Sequence, residues 1–162
     1  MNPIQGKRIL LGVTGSIAAY KTPHLVRLLK KNGAEVRVAL TRAGADFVSP
    51  LTLSTLSEHP VAVEFVEGVA GSLWNNHVEW GGWADLILVA PASANTLAQA
   101  AQGACSSFLS AVVLSAKCPV VWAPAMDLDM YRYPAVQNNL TCLASFGHVV
   151  IPAATGSLAS GL

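Results

Sequence analysis

The chain has 162 residues and a formal net charge of +1, which suits one domain with a core of fair size. So balanced a charge gives no indication of a nucleic-acid partner or of an anionic membrane surface. Charged residues make up 12% of the chain, and none lies between positions 86 and 116. Proline, glycine and amide residues interrupt that segment, so it does not predict a membrane span. We therefore expect other subunits to bury part of it, in a homo-oligomer.

The beginning of the chain and its cysteines indicate a cytoplasmic protein. Residues 1–15 have neither the apolar length nor the cleavage pattern of a secretory signal. The cysteines are widely spaced and form no CxxC pair, so we interpret them as reduced packing residues rather than as redox groups or metal ligands. These cysteines are Cys105, Cys118 and Cys142.

Residues 7–40 predict a strand–helix–strand unit. The unbroken apolar run over residues 7–13 is typical of a strand that is covered on both faces. Ser16 is a good N-cap for a helix that ends by Gly33. Residues 35–40 alternate as a second strand. The apolar positions expected on one face of the helix are Ile17, Leu25, Leu28 and Leu29.

The turn after the first strand is rich in glycine and suggests a phosphate site. It is neither a GxGxxG fingerprint nor a P-loop, and no acidic residue follows the second strand to hold a ribose hydroxyl. These differences argue against NAD and ATP. A mononucleotide with one phosphate is compatible with the turn, held by N–H groups around Gly15 and Ser16 and by the hydroxyls of Ser16 and Thr41. The alternative is a tight strand–helix turn with a capping serine.

The middle of the chain has weaker patterns. Residues 43–57 predict one or two short helices, with Pro50 at a first helical position, and residues 61–65 predict a short strand. Residues 67–83 predict a long loop that contains glycines, three tryptophans and His77. A histidine is more often structural than catalytic, but its place in such a loop, just before the central strand, leaves both interpretations open.

The central strand is predicted at residues 86–90, where it stops at Pro91 and runs into the sequence PASANT. Ligands of α/β sheets bind at the carboxyl ends of the strands. Hydroxyls, an amide and free helix N–H groups would gather at this edge, and the small residues would let a flat ring come close to the backbone. An ordinary strand–loop–helix turn is the other interpretation.

The remaining elements complete a doubly wound fold. Helices are predicted at residues 97–102, 106–116 and 134–146, and strands at residues 119–123 and 148–152. The loop at residues 124–130 belongs on the same edge as PASANT. It contains Asp127 and Asp129 without a third ligand, so no metal site is predicted. We expect a single domain over residues 1–162: α/β, three-layer, Rossmann-like or flavodoxin-like, with a mostly parallel sheet of about five or six strands.

These motifs together resemble the homo-oligomeric flavin-containing cysteine decarboxylase family. The combination of PASANT with PAM at this spacing makes the resemblance specific. It implies a trimer, or a multiple of trimers, with FMN at a subunit interface. It also implies a redox-assisted decarboxylation of a small cysteinyl substrate, first of all 4′-phosphopantothenoylcysteine in coenzyme A biosynthesis. The segments that carry it are GVTGSIAAYK, VRVALTRAGADFV, HVEWGGWADLILVAPASANT, PAMDLDM and GSLASGL.

The resemblance also assigns residues to the site. The phosphate side of FMN falls to Gly15, Ser16 and Thr41, and the flavin side to Ser93, Ala94, Asn95, Thr96 and Ala125, with Ile17 as a further cofactor contact. The substrate contacts are His77, Asp127 and Met130, and the catalytic positions are His77, Asp127 and Ser160.

Two of these positions depart from the family pattern. Asp127 stands where an asparagine contacts the substrate carboxylate, and an aspartate anion would repel that group unless it is protonated or turned away. Ser160 stands where a cysteine donates a proton, and a hydroxyl is a far weaker acid than a thiol. An oxidative peptidyl-cysteine decarboxylase that releases an enethiol, and a non-catalytic FMN-binding regulatory protein, are therefore alternatives. The PASANT and PAM pair disfavours a flavin prenyltransferase. We expect the substrate-closing segment to be incomplete and a second domain to be possible.

Overall fold

The computed structural model describes residues 2–156. Its strands are β1 (Arg8–Val13), β2 (Glu35–Leu40), β3 (Val66–Glu67), β4 (Leu73–Trp74), β5 (Leu86–Ala92), β6 (Val120–Pro124) and β7 (Val149–Val150). Its helices are α1 (Thr22–Lys31), α2 (Arg42–Ala45), α3 (Pro50–Ser57), α4 (His77–Trp83), α5 (Ala94–Gln102), α6 (Phe108–Leu114), α7 (Leu128–Arg132) and α8 (Pro134–Ser145). Among residues 2–156, no helix has both the length and the apolar character that crossing a bilayer requires.

Five parallel strands form the main sheet, in the order β2-β1-β5-β6-β7. The chain first adds β2 on one side of β1 and later adds β5 on the other side. The strand order therefore reverses between β1 and β5, and their carboxyl ends border the crevice where open α/β sheets bind ligands. The predicted doubly wound, mostly parallel sheet is confirmed.

Both faces of the sheet are covered by apolar side chains. Leu10 lies in one buried cluster with Ile87, Phe108 and Trp122, whereas its neighbours along β1 lie in a second cluster on the opposite face. Alternation of side chains along a strand explains why one apolar run supplies both clusters. Burial on both faces confirms the three-layer arrangement.

The first helix differs from its prediction. Ser16 caps a 3-10 turn at Ile17–Lys21, and α1 begins only afterwards, at Thr22. A 3-10 turn holds three residues per turn instead of 3.6, so it changes which later residues face the sheet. The predicted apolar face is therefore wrong in part, since Ile17 is 53% exposed and Leu28 43% exposed, while Val26 is buried.

Residues 61–83 also differ from prediction. The expected strand at residues 61–65 is limited to one isolated bridge between Ala62 and Ala39. The expected long loop contains the β3–β4 hairpin and the helix α4, whose first residue is His77. The side chain of Asn76 accepts hydrogen bonds from two backbone N–H groups of α4 and so starts the helix. The glycines of this stretch conceal that start, because glycine is a poor helix former.

Two smaller predictions need correction. The central strand does not stop at Pro91 but continues to Ala92. Proline lacks an N–H donor but keeps its carbonyl, and the Pro91 carbonyl accepts a hydrogen bond from the Thr14 N–H. Cys105 is exposed in the single chain, so it does not pack within it as predicted, whereas Cys118 and Cys142 are half-buried.

Candidate ligand-binding cleft

A cleft of about 650 Å³ lies at the carboxyl edge of the sheet, beside the ends of β1, β2 and β5. The glycine-rich turn after β1 and the PASANT loop after β5, both singled out from the sequence, meet there. Seven predicted site residues line the cleft: Gly15, Thr41, Ser93, Ala94, Asn95, Thr96 and Met130. The structure thus has a cavity at the edge of the sheet where the sequence predicts a ligand site.

Thr14 joins these two loops and was missed by the sequence analysis. Its side chain is fully buried. The Thr14 hydroxyl donates a hydrogen bond of 2.6 Å to the Pro91 carbonyl and accepts one of 2.9 Å from the Ser93 N–H. Its only signal in the sequence was its place between the strand and Gly15. By fixing one loop to the other, Thr14 sets the distance between the two sides of the cleft.

Gly15 makes a close approach that no larger residue could make. A Cβ atom at this position would lie 2.6 Å from the Cβ of Ala43, well inside van der Waals contact. The turn therefore packs directly on α2 and leaves its backbone beside the cleft. This bare backbone suits a ligand group that hydrogen-bonds to main-chain N–H groups.

Three of the predicted hydroxyl ligands have capping roles. Ser16 accepts from the Ala18 N–H and lies 3.5 Å from the Ala125 carbonyl, to which its hydroxyl donates. Thr41 accepts from the Gly44 N–H at 3.0 Å, and Ser93 accepts from the Thr96 N–H at 3.2 Å. Local geometry alone would explain these residue types. Thr41 and Ser93 nevertheless also line the cleft, so capping and ligand binding are compatible there.

Besides His77, four predicted site residues with described positions do not line the cleft. Ile17 is exposed, and the Ser16 hydroxyl accepts the Ala18 N–H as the cap of the 3-10 turn. The Ala125 N–H donates to the Ala92 carbonyl, which places the PAM loop next to PASANT as predicted. The Asp127 carboxylate accepts the Met130 N–H at 2.9 Å and caps α7. Ser160, a predicted catalytic residue, lies outside the described residues.

His77 does not line the cleft, but its side chain is distinctive in another way. Its Nδ1 atom is buried and has no hydrogen-bond partner within residues 2–156. The rings of His77 and Phe65 pack edge to face, with their centroids 5.8 Å apart. A buried polar atom without a partner costs free energy, so its presence suggests that a group outside this part of the chain completes it. His77 therefore remains a candidate contact for a ligand.

The rim of the cleft carries one ion pair that sequence reasoning could not find. Arg42 directly follows Thr41, and its guanidinium donates a hydrogen bond to the carboxylate of Glu64. That hydrogen bond, with the attraction of the carboxylate, raises the pKa of Arg42 above its ordinary value. No group of three or more potential metal-binding side chains exists among residues 2–156, and Asp127 and Asp129 form none.

The fold and the cleft define a doubly wound α/β protein with a ligand site at the switch point of its parallel sheet. A family model described as Flavoprotein matches residues 2–160. The chain belongs to this family. The coenzyme A biosynthesis bifunctional protein CoaBC of Escherichia coli strain K12 is 44% identical over 158 residues, which are 98% of this chain and 39% of that protein. The chain thus spans about two fifths of the length of this relative.

Solved structures show the same fold. A PPC decarboxylase mutant complexed with pantothenoylaminoethenethiol is 32% identical and superposes with a TM-score of 0.83 over 97% of this chain and 87% of its own. The FMN binding protein AtHal3 is also 32% identical, with a TM-score of 0.80 over 96% of this chain and 85% of its own.

Proposed function

We propose that this chain is an FMN-dependent carboxy-lyase that converts 4′-phosphopantothenoylcysteine to 4′-phosphopantetheine in coenzyme A biosynthesis. The observation that carries the proposal is the cleft, where the Gly15 turn and the PASANT loop meet at the switch point. The similarity to the bifunctional coenzyme A biosynthesis protein and to the PPC decarboxylase supports the substrate.

The residues of the cleft fit a flavin mononucleotide. Its volume of about 650 Å³ suits a ligand of this size. Gly15 and Thr41 would hold the phosphate, because the turn is bare backbone beside a hydroxyl. Ser93, Asn95 and Thr96 would line the ring system with small polar groups. Bound FMN supplies the reversible two-electron oxidation of the substrate that allows its carboxylate to leave.

The protein contributes positioning and proton handling. We assign His77 to the substrate carboxylate, since its buried Nδ1 has no hydrogen-bond partner among residues 2–156 and an imidazole nitrogen can donate or accept a proton there. One carboxylate oxygen of Asp127 accepts the Met130 N–H and caps α7. This favours the interpretation that the Asp127 carboxylate is turned away from the substrate. Ser160 takes the proton-donor position by resemblance alone.

Assembly into a homotrimer, or a multiple of trimers, is part of the proposal. His77 does not line the cleft of a single chain. The uncharged α5–α6 region ends in Leu114, which is 53% exposed. Association would bury this surface and bring a second chain to the cleft. Sedimentation velocity should give three times the chain mass or a multiple of it, and a monomer at micromolar concentration would contradict this part.

A cytoplasmic location is also proposed. Three cysteines without a disulfide are typical of a reducing compartment.

Spectroscopy of the purified protein tests the cofactor first. We expect the absorption of an oxidised flavin, and FMN after release by denaturation. Failure to bind flavin even with excess FMN would refute the proposed function. With FMN bound, carbon dioxide release and product mass identify the reaction, since an enethiol product would be lighter by two hydrogens and would indicate the oxidative alternative.

The His77→Asn variant tests the catalytic assignment. We expect turnover to fall by a factor of at least about 100, within the range for loss of an acid–base group. FMN should stay bound, as judged by its spectrum. Loss of FMN from this variant would identify His77 as a structural residue instead.

A further inference from the structure

The charged side chains that line the cleft form one ion pair, Arg42 with Glu64. Among the lining residues that the structure describes, Arg42 is the one cation and Glu64 the one anion. The two side chains form an ion pair across the rim. Without this pairing the cleft would hold an unbalanced guanidinium directly beside Thr41, on the side where the phosphate is expected.

The backbones of both residues are held independently of the pair. The Thr41 N–H donates to the Val13 carbonyl at 3.0 Å, which fixes the chain just before Arg42. The Glu64 N–H donates to the Glu67 carboxylate at 3.3 Å, and the Glu64 carbonyl accepts from the Asn75 side chain at 2.7 Å. The two side chains can therefore separate without moving their loops.

The pair is exposed enough to exchange partners. The side chain of Arg42 is 82% exposed and that of Glu64 is 36% exposed. Exposed ion pairs contribute little to folding stability, because water screens them. A phosphate monoester carries nearly two negative charges and three acceptor oxygens, and it matches the guanidinium fork, so it competes well with one carboxylate.

We propose that Arg42 sets the preference of this cleft for phosphorylated ligands, and that Glu64 holds Arg42 at the rim until a phosphate monoester displaces the carboxylate. The identity of the ligand rests on the proposed function. FMN and the 4′-phosphate of the substrate are the two possible sources of the phosphate, and the position of Arg42 next to Thr41 favours FMN.

Flavin titrations of the apoprotein test the proposal without any measurement of activity. FMN and riboflavin differ only by the phosphate, and the fluorescence of each flavin reports its binding to the protein. We expect Arg42→Ala to reduce the ratio of FMN to riboflavin affinity by about three- to tenfold, and Arg42→Lys to restore part of it. Glu64→Gln should raise the ratio about twofold to threefold, since Arg42 loses its competing partner. Riboflavin affinity should stay unchanged in all three variants.

Arg27→Ala is the matched control, because it removes an exposed arginine of α1 that does not line the cleft. The ratio of FMN to riboflavin affinity in this variant should equal that of the parent protein. Raising the salt concentration should reduce the FMN preference of the parent protein more than that of Arg42→Ala, since screening weakens exposed charge interactions.

The outcomes separate the two proposals. A normal flavin ratio in Arg42→Ala, combined with a reduced preference for 4′-phosphopantetheine over pantetheine in FMN-loaded protein, would assign the phosphate to the substrate. If neither ratio changes, the role of Arg42 is refuted while the proposed function stands. If the parent protein binds no flavin, the proposed function fails, and calorimetry with inorganic phosphate then tests Arg42. Phosphate binding that is lost in Arg42→Ala supports the role of Arg42, and phosphate binding that is unchanged in this variant refutes it.

Discussion

At the residue scale, one buried hydroxyl determines how the two halves of the cleft meet. Thr14 contacts residues that lie 77 and 79 positions later in the chain. Both of its partners are backbone groups of the PASANT loop. Removal of the hydroxyl would leave the Pro91 carbonyl and the Ser93 N–H without this partner in a buried place, and such groups are costly.

Thr14→Val should lower the free energy of unfolding by about 2 kcal/mol, because its shape is kept while both hydrogen bonds are lost. Urea unfolding at a fixed protein concentration measures this change. Thr14→Ser is the matched variant, which keeps the hydroxyl and removes one methyl, at a cost of about 1 kcal/mol. Equal losses for the two variants would show that packing, rather than hydrogen bonding, is the role of Thr14.

At the element scale, α4 packs closely on α6 through one of its two glycines. A Cβ on Gly81 would lie 3.1 Å from the Ser115 carbonyl oxygen and 3.2 Å from that of Val112. Both are backbone atoms of a helix end that is packed on the sheet, so they cannot move easily. A Cβ on the neighbouring Gly82 would have no atom of the other described residues within 4 Å. This contact also fixes the helix that carries His77.

Gly82→Ala should stabilise the protein by about 0.5–1 kcal/mol, since alanine is the better helix former and its Cβ would contact none of residues 2–156. Gly81→Ala gains the same propensity but forces the two helices apart, so we expect its unfolding free energy to be lower than that of Gly82→Ala by at least about 1 kcal/mol. Thermal unfolding measures both variants. Equal melting temperatures would mean that α6 gives way without cost.

At the scale of the whole molecule, the sheet has a functional edge and a structural edge. The cleft lies at the carboxyl ends of β1 and β5, whereas the ion pair of Arg8 and Asp85 joins their amino ends at 2.9 Å. The Asp85 carboxylate also accepts the Arg8 backbone N–H at 2.9 Å. The side-chain hydrogen bond from Arg8, then the backbone one, lowers the pKa of Asp85 from 3.8 to about 2.

This lowered pKa predicts an acid-dependent loss of stability. The unfolded chain binds a proton at Asp85 more readily than the folded chain does, so the contribution of Asp85 is complete above about pH 4 and is lost as the pH falls towards 2. Asp85→Asn should flatten the fall in melting temperature over that window. Asp46→Asn, which removes the charge of an exposed aspartate elsewhere, is the control. An unchanged acid profile in Asp85→Asn would contradict the assignment.

The sequence by itself determined much of the local structure. The alternation of residues 35–40 predicted β2 with its observed bounds, and Pro50 is the first residue of α3 as predicted. Ser16 caps the segment that follows it, as predicted. These features depend on periodicity and on hydrogen bonds between near neighbours in the chain, which composition and spacing record directly.

Only the tertiary structure decided which of these pieces form a site. The pairs Thr14–Pro91 and Arg42–Glu64 join residues that are 77 and 22 positions apart, and no local pattern encodes such contacts. The exposure of Ile17 likewise followed from a 3-10 turn whose different periodicity the apolar spacing did not reveal. Sequence patterns predict which edge of a parallel sheet carries a ligand, but the packing of distant loops sets the distances and charges within the cleft.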